Sequence, residues 1–81
     1  MRVKVYITPR QGILDPQGKA VEGSLRDLGF SGVEQVRVGK YILLDVAAAS
    51  ADEAAATVER MCRQLLANTL IEDYRVEVER A

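Results

Sequence analysis

The sequence contains no histidine, no tryptophan and a single cysteine, Cys62. Without histidine it lacks the side chain most often used as a general base near neutral pH and a principal nitrogen ligand for metals. One thiol cannot close an internal disulfide, and there is no Cys/His cluster of the kind zinc prefers. Nucleophilic catalysis needs an activated side chain with a base beside it, so a glutaminase or hydrolase of the usual kind is not expected.

Long apolar runs are missing as well. The most apolar stretch, residues 41–49, is interrupted by Asp45 and falls far short of the roughly 20 residues that span a bilayer. Met1 leads directly into charged and β-branched residues, without the apolar core and small-residue cleavage site of a secretory signal, so a cytoplasmic, reducing location and no membrane association are expected. Charge of one sign is not concentrated anywhere: 11 basic residues face 12 acidic ones, and no basic block is available to follow a phosphate backbone. Nucleic acid is therefore not an expected partner. The six glycines, at positions 12, 18, 23, 29, 32 and 39, form neither a Walker loop nor a G-x-G-x-x-G fingerprint, so no nucleotide or other cofactor and no metal is expected in this chain.

What is present is an ordinary globular composition, 48% apolar and 28% charged with the signs interspersed. Eighty-one residues make one small domain, 1–81, which on folding buries only about 60–65% of its unfolded surface.

Periodicity gives the elements. Val3, Val5 and Ile7 alternate with Arg2, Lys4 and Tyr6, the pattern of a half-buried strand over 2–7. Asp15-Pro16 suits a helix start and Gly29 a stop. Between them Val21, Leu25 and Leu28 share one face, leaving Glu22, Arg26 and Asp27 for water. Val36 and Val38, then Ile42, Leu44 and Val46, alternate on either side of Gly39-Lys40, which predicts a hairpin whose glycine supplies a positive φ. Ser50 and Glu53 have capping-box spacing ahead of a helix with Ala51, Ala55, Val58, Cys62 and Leu65 on one stripe, widened by Met61 and Leu66, and with Asn68 as a left-handed terminator. Cys62 on that stripe is expected to be a buried core thiol. Residues 71–79 alternate again, Tyr74, Val76 and Val78 against Asp73, Arg75, Glu77 and Glu79.

The order β-α-β-β-α-β predicts an α+β, ferredoxin-like fold: a four-stranded antiparallel sheet with two helices on one face. The other face carries Tyr41, Leu43 and Tyr6 and is expected to find a partner. Glu72 and Asp73 are neighbours in a strand and point to opposite sides, so they are read as a solvated pair and not as an acid–base couple. The run Val36-Arg37-Val38-Gly39-Lys40-Tyr41 sets two cations beside an aromatic ring; it is either a contact for phosphate or a protein carboxylate, or a solvated turn.

The segment Asp15-Pro16-Gln17-Gly18-Lys19-Ala20-Val21-Glu22-Gly23 resembles the opening of the first helix in PurS proteins. The resemblance continues through Leu28-Gly29-Phe30, Val36-Arg37-Val38-Gly39-Lys40-Tyr41-Ile42, and Leu65-Leu66-Ala67-Asn68 followed by Ile71-Glu72-Asp73-Tyr74, nearly the whole chain. One departure is Thr69, where the family often has proline after the asparagine, which loosens the turn without abolishing it.

The resemblance implies a non-catalytic subunit of phosphoribosylformylglycinamidine synthase in de novo purine synthesis. A PurS homodimer or dimer of dimers would sit between the PurQ glutaminase, which releases ammonia, and the PurL synthetase, which holds ATP and magnesium. Arg37, Gly39, Lys40, Tyr41, Asn68, Glu72 and Tyr74 match the family segments and are the candidate interface residues. The alternative is a small ferredoxin-like regulatory module that binds a metabolite, since fold alone does not separate the two.

Overall fold

A computed structural model of the chain describes residues 1–12 and 14–79; Arg80 and Ala81, the end of the expected 1–81 domain, lie outside the described residues. The central strand, β1 (Arg2–Pro9), runs two residues further than its alternation predicts and buries Val3, Val5 and Ile7 completely on one face. β2 (Lys40–Asp45) and β3 (Glu72–Val78) pair with it antiparallel on either side, giving the order β2-β1-β3. The registers Val5↔Ile42 and Val5↔Val76, with Val3↔Leu44 and Val3↔Val78, put apolar residues of all three strands on the same face.

That face is covered by α2 (Ala51–Met61) and the π-helical turn that continues it, Cys62–Leu66. Ser50 caps α2 by accepting from the Glu53 N–H at 3.1 Å, as its spacing predicts. The Glu53 carboxylate reaches back one residue beyond the cap, to the N–H of Ala49. Of the expected stripe Val58 and Cys62 are fully buried; the third fully buried residue is Ala54, which the stripe did not include, while Ala51 and Ala55 are half-buried and Met61 is exposed. The helix then widens: the Ala67 N–H donates to the Cys62 carbonyl, five residues back, at 3.0 Å. This wide turn directs Leu65, expected in the stripe, to solvent at 83% exposure, while Ala67 takes its place in the core.

Asn68 does not terminate the helix in the left-handed region; among the described non-glycine residues only Gln35 has a positive φ. Instead the Asn68 side chain accepts from the Leu70 N–H and its carbonyl accepts from the N–H groups of Ile71 and Glu72. The turn therefore forms with Thr69 in the place of proline.

α1 (Pro16–Asp27) is built as the sequence predicts. Asp15 caps it through the Gly18 N–H, and Gly29, at φ +98°, stops it. The bonds from the Gly29 N–H to Arg26 O and from the Phe30 N–H to Leu25 O form a Schellman ending. Its position differs from expectation. Val21 is 42% and Leu28 74% exposed, and among the described residues no α1 side chain joins the core cluster. The helices therefore do not both cover one face of the sheet; α2 alone does. The chain is correspondingly elongated, 50 × 29 × 14 Å, with a radius of gyration of 15.9 Å, against about 12 Å for a compact chain of this length.

The expected strand over 35–38 is the second correction: residues 33–39 form no strand, and the sheet of the described residues has three strands, not four. The reason lies in where the backbone donors go. The Val36 N–H donates to Glu22 Oε1 at 3.1 Å and the Val38 N–H to Asp15 Oδ2 at 2.9 Å, so both amides are taken by carboxylates of α1 and its cap. A ladder needs those same groups. Glu22, expected in water, is consequently 7% exposed. No hairpin turn exists at Gly39, whose φ is not positive. Glycine is needed there for a different reason: a Cβ at residue 39 would lie on the Ile7 carbonyl oxygen.

These features set three stability expectations, to be measured by urea unfolding. Ile7→Ala removes a fully buried side chain from the centre of the sheet and costs about 2–5 kcal/mol. Gly39→Ala forces its methyl group against β1 and costs about 1–3 kcal/mol. Gly23→Ala, in the interior of α1 with nothing near the added methyl, stabilises by about 0.5–1 kcal/mol.

Candidate assembly surfaces

Five of the seven predicted interface residues meet at one end of the sheet, where β1 finishes and β2 and β3 begin. The Lys40 ammonium lies 3.9 Å from a Glu72 carboxylate oxygen across β1, and the other Glu72 oxygen accepts the Asn68 N–H at 2.8 Å. Glu72 is thus engaged on the helix side, whereas Asp73 points the opposite way and lies 3.5 Å from Arg10. The two acids occupy opposite faces as strand geometry requires, but only Asp73 is the solvated member. Arg37 extends its guanidinium to the carbonyls of Pro9 and Arg10 at 3.1 and 3.0 Å, closing residues 33–39 onto the end of β1. Arg10, which sequence reasoning passed over, completes this end by donating to the Thr69 carbonyl at 2.7 Å.

The remaining two predicted residues separate. Tyr41 lies on the open face of the sheet, half-exposed, its ring centroid 5.3 Å from that of Tyr6. The Arg75 guanidinium covers the Tyr6 ring at 4.3 Å, so one row across the three strands reads Tyr41-Tyr6-Arg75. Leu43 is half-exposed on this face, but Lys4, Arg2, Asp45 and Glu79 share it in ion pairs. The open face is therefore mixed apolar and charged. Tyr74 points the other way: it pairs with Ile7 and packs against the core beneath the sheet. Its alternation with Asp73 and Arg75 already placed it there.

A third surface was not anticipated as such. The α1 stripe of Val21, Leu25 and Leu28 continues into Phe30, 57% exposed, and Leu14 is also largely in solvent. The signal was in the sequence, as an apolar helical face, but its destination was not.

Among the described residues, no group of three His, Cys, Asp or Glu side chains is placed to hold a metal ion. Two carboxyl groups have pKa values held below their ordinary range. For Asp15 the Gly18 N–H has the largest influence, followed by the Val38 N–H; for Glu22 it is the Val36 N–H, aided by the Arg26 guanidinium. The Cys62 thiol shifts the opposite way, pushed up by burial and then by the neighbouring charge of Glu59.

The molecule is a small α+β domain whose polar groups are mostly committed to holding its own backbone while two partly apolar surfaces, the open sheet face and the α1 stripe, stay open, the class of a domain that works against other protein. The family model described as PurS, phosphoribosylformylglycinamidine (FGAM) synthase, matches residues 2–80, and the chain belongs to this family. It is 48% identical over 75 residues to a Synechocystis phosphoribosylformylglycinamidine synthase subunit PurS, covering 93% of this chain and 75% of that protein. It is 46% identical to its Bacillus subtilis counterpart, covering 96% and 92%. The solved Bacillus subtilis PurS superimposes with a TM-score of 0.85 at 46% identity, over 98% of both chains. A chain of the Thermotoga maritima PurLQS structure does so with a TM-score of 0.81 at 33% identity, over 95% of this chain and 96% of that one.

Two measurements follow from this geometry. Cys62 resists a thiol reagent in the native protein at pH 8 and reacts stoichiometrically once urea unfolds the chain. Lys40→Met leaves stability within about 1 kcal/mol of the parent, because the Lys40 ammonium is exposed and 3.9 Å from a Glu72 carboxylate that the Asn68 N–H already satisfies; a chemical-denaturation midpoint checks it.

Proposed function

We propose that the chain is the PurS subunit of FGAM synthase, an assembly component that supplies surfaces and not a catalytic set. Its partners are a PurL synthetase, which carries ATP and magnesium, and a PurQ glutaminase, and it supports the transfer of ammonia between them in the glutamine-dependent conversion of formylglycinamide ribonucleotide to its amidine. Membership of the PurS family supports this reading, as does the likeness to a chain of the Thermotoga maritima PurLQS structure. The single observation that carries it is the apolar face of α1, formed at helical spacing and left off the sheet.

Such a face is completed by another protein surface. The first occupant is a second copy of the chain, in a homodimer or a dimer of dimers, and the site is the cytoplasm. The whole of 1–81 acts as one domain. Each protomer would complete the ferredoxin-like arrangement of its neighbour, with the α1 face covered between copies. Arg37, Lys40, Asn68 and Glu72, gathered at one end of the sheet, and Tyr41 on its open face, contact the larger subunits; Gly39 and Tyr74 hold the backbone and core behind them.

The test is the rate of amidine formation by purified PurL and PurQ with and without this chain. Glutamine-driven turnover depends on the chain, whereas turnover driven by added ammonia does not. Equal glutamine-driven rates in its presence and absence, with cognate partners, would sink the reading and make metabolite binding the next measurement.

A further inference from the structure

The junction between α1 and residues 33–39 is more closely built than an exposed helix requires. Little apolar burial holds α1 to the rest of the chain, since Val21 and Leu28 remain in solvent. What fixes it is a set of polar bonds to one strap of backbone. Glu22 Oε1 accepts the Val36 N–H, and Asp15 divides its two oxygens between the Gly18 N–H of its own helix and the Val38 N–H of the strap. Arg26 donates to the Val33 carbonyl at 3.2 Å and lies 3.1 Å from the Glu22 carboxylate. Gly18 permits the contact, because a Cβ there would collide with the Val36 carbonyl oxygen. Gln35 adopts a φ of +54°, uncommon for a residue with a side chain, on the way into the bond at Val36.

We infer that Asp15 and Glu22 are positioning residues: they latch α1 to the strap as one rigid arm and so fix the direction in which Val21, Leu25 and Leu28 are presented for docking. The inference rests on the reading that this face receives a second copy of the chain. Its physical basis is preorganisation: an arm already held in its docked orientation loses less freedom on association than one that swings. The strap is tied at its other end to β1 by Arg37, so the latch relays the sheet's orientation to a helix that does not touch the core.

The charged groups around the latch are Arg26 and Lys19 of α1, which face Glu22, and Arg37 of the strap, which faces Asp15. All favour the ionised carboxylates. Because the folded state lowers these pKa values, the contribution of the two negative charges to the latch is fully present above the ordinary carboxylate range and is lost as pH falls through the lowered folded values, leaving the weaker bond that a neutral carboxyl oxygen accepts.

The experiment uses the full chain and two substitutions. Glu22→Ala removes the acceptor for Val36, whereas Glu22→Gln keeps one carbonyl oxygen able to accept it. Amide protection factors at Val36 and Val38 are measured by NMR, and the self-association constant by analytical ultracentrifugation. In Glu22→Ala, protection at Val36 falls about threefold to tenfold, as loss of one hydrogen bond predicts, and the dimer dissociation constant rises by a similar factor. The amides of Val3, Val5 and Ile7 keep their protection. Glu22→Gln stays within about twofold of the parent, and its Val36 protection no longer falls on acidification towards pH 3 as the parent's does.

Equal loss of protection in β1 would overturn the inference by making Glu22 a support of the whole fold. So would a freed Val36 amide with an unchanged dissociation constant, which would leave the assembly reading intact. A parent chain that stays monomeric at every concentration overturns self-docking through α1, and the positioning role with it, before any substitution is made, while the assembly reading is decided separately by the amidine-formation rates.

Discussion

The backbone donors of Val36 and Val38 have acceptors on α1 and its cap instead of on a neighbouring strand, and the shape of the molecule follows from that choice. A buried or half-buried amide must be paired with something. Once Glu22 and Asp15 take these two, residues 33–39 cannot offer that edge to a ladder, and β2 begins only at Lys40. The sheet is left with β1 in the centre and two edges. α1, tied to the strap by carboxylates, stands away from the core face that α2 already covers.

This arrangement connects the fold to assembly. A chain this small has a limited core, eight buried apolar residues among those described, gathered around β1 and α2. The apolar residues beyond it, on α1, at Phe30, at Leu65 and Leu70, and on the open sheet face, are left largely or half exposed. A self-contained domain would not leave so much apolar surface exposed, whereas a subunit of a larger complex has a use for it. The polar cluster of Arg10, Arg37, Lys40, Asn68 and Glu72 at the end of β1 mainly organises backbone. It keeps the beginnings of β2 and β3 in register with the end of β1.

Most element boundaries were legible in the sequence because they depend on neighbours a few residues apart. The caps at Asp15 and Ser50, the Schellman ending at Gly29, and the alternation in β1, β2 and β3 are local bonds and local periods, and all formed. Features that depend on distant groups or on a changed period were not legible, and three show why. The alternation of Val36 and Val38 is a strand pattern, yet their donors were claimed by side chains 14 and 23 residues away. The stripe of α2 was extrapolated through Leu65 at 3.6 residues per turn, but the π turn after Cys62 changes the period. Gly39 was explained by a positive φ, a local property, when its requirement is the close approach of β1.

By itself the sequence determined both helix starts, the three strands that formed, the core triad Val3, Val5 and Ile7, and the family resemblance, because short-range periodicity and capping are written in neighbouring residues. Only the tertiary structure decided that the sheet of the described residues has three strands, that α1 stands off the core, and that Glu22 is buried while Leu65 is exposed. Each of these depends on which of several possible partners, distant along the chain, satisfies a given backbone donor or covers a given apolar side chain. That competition is settled by geometry in three dimensions, and no pattern of adjacent residues records its result.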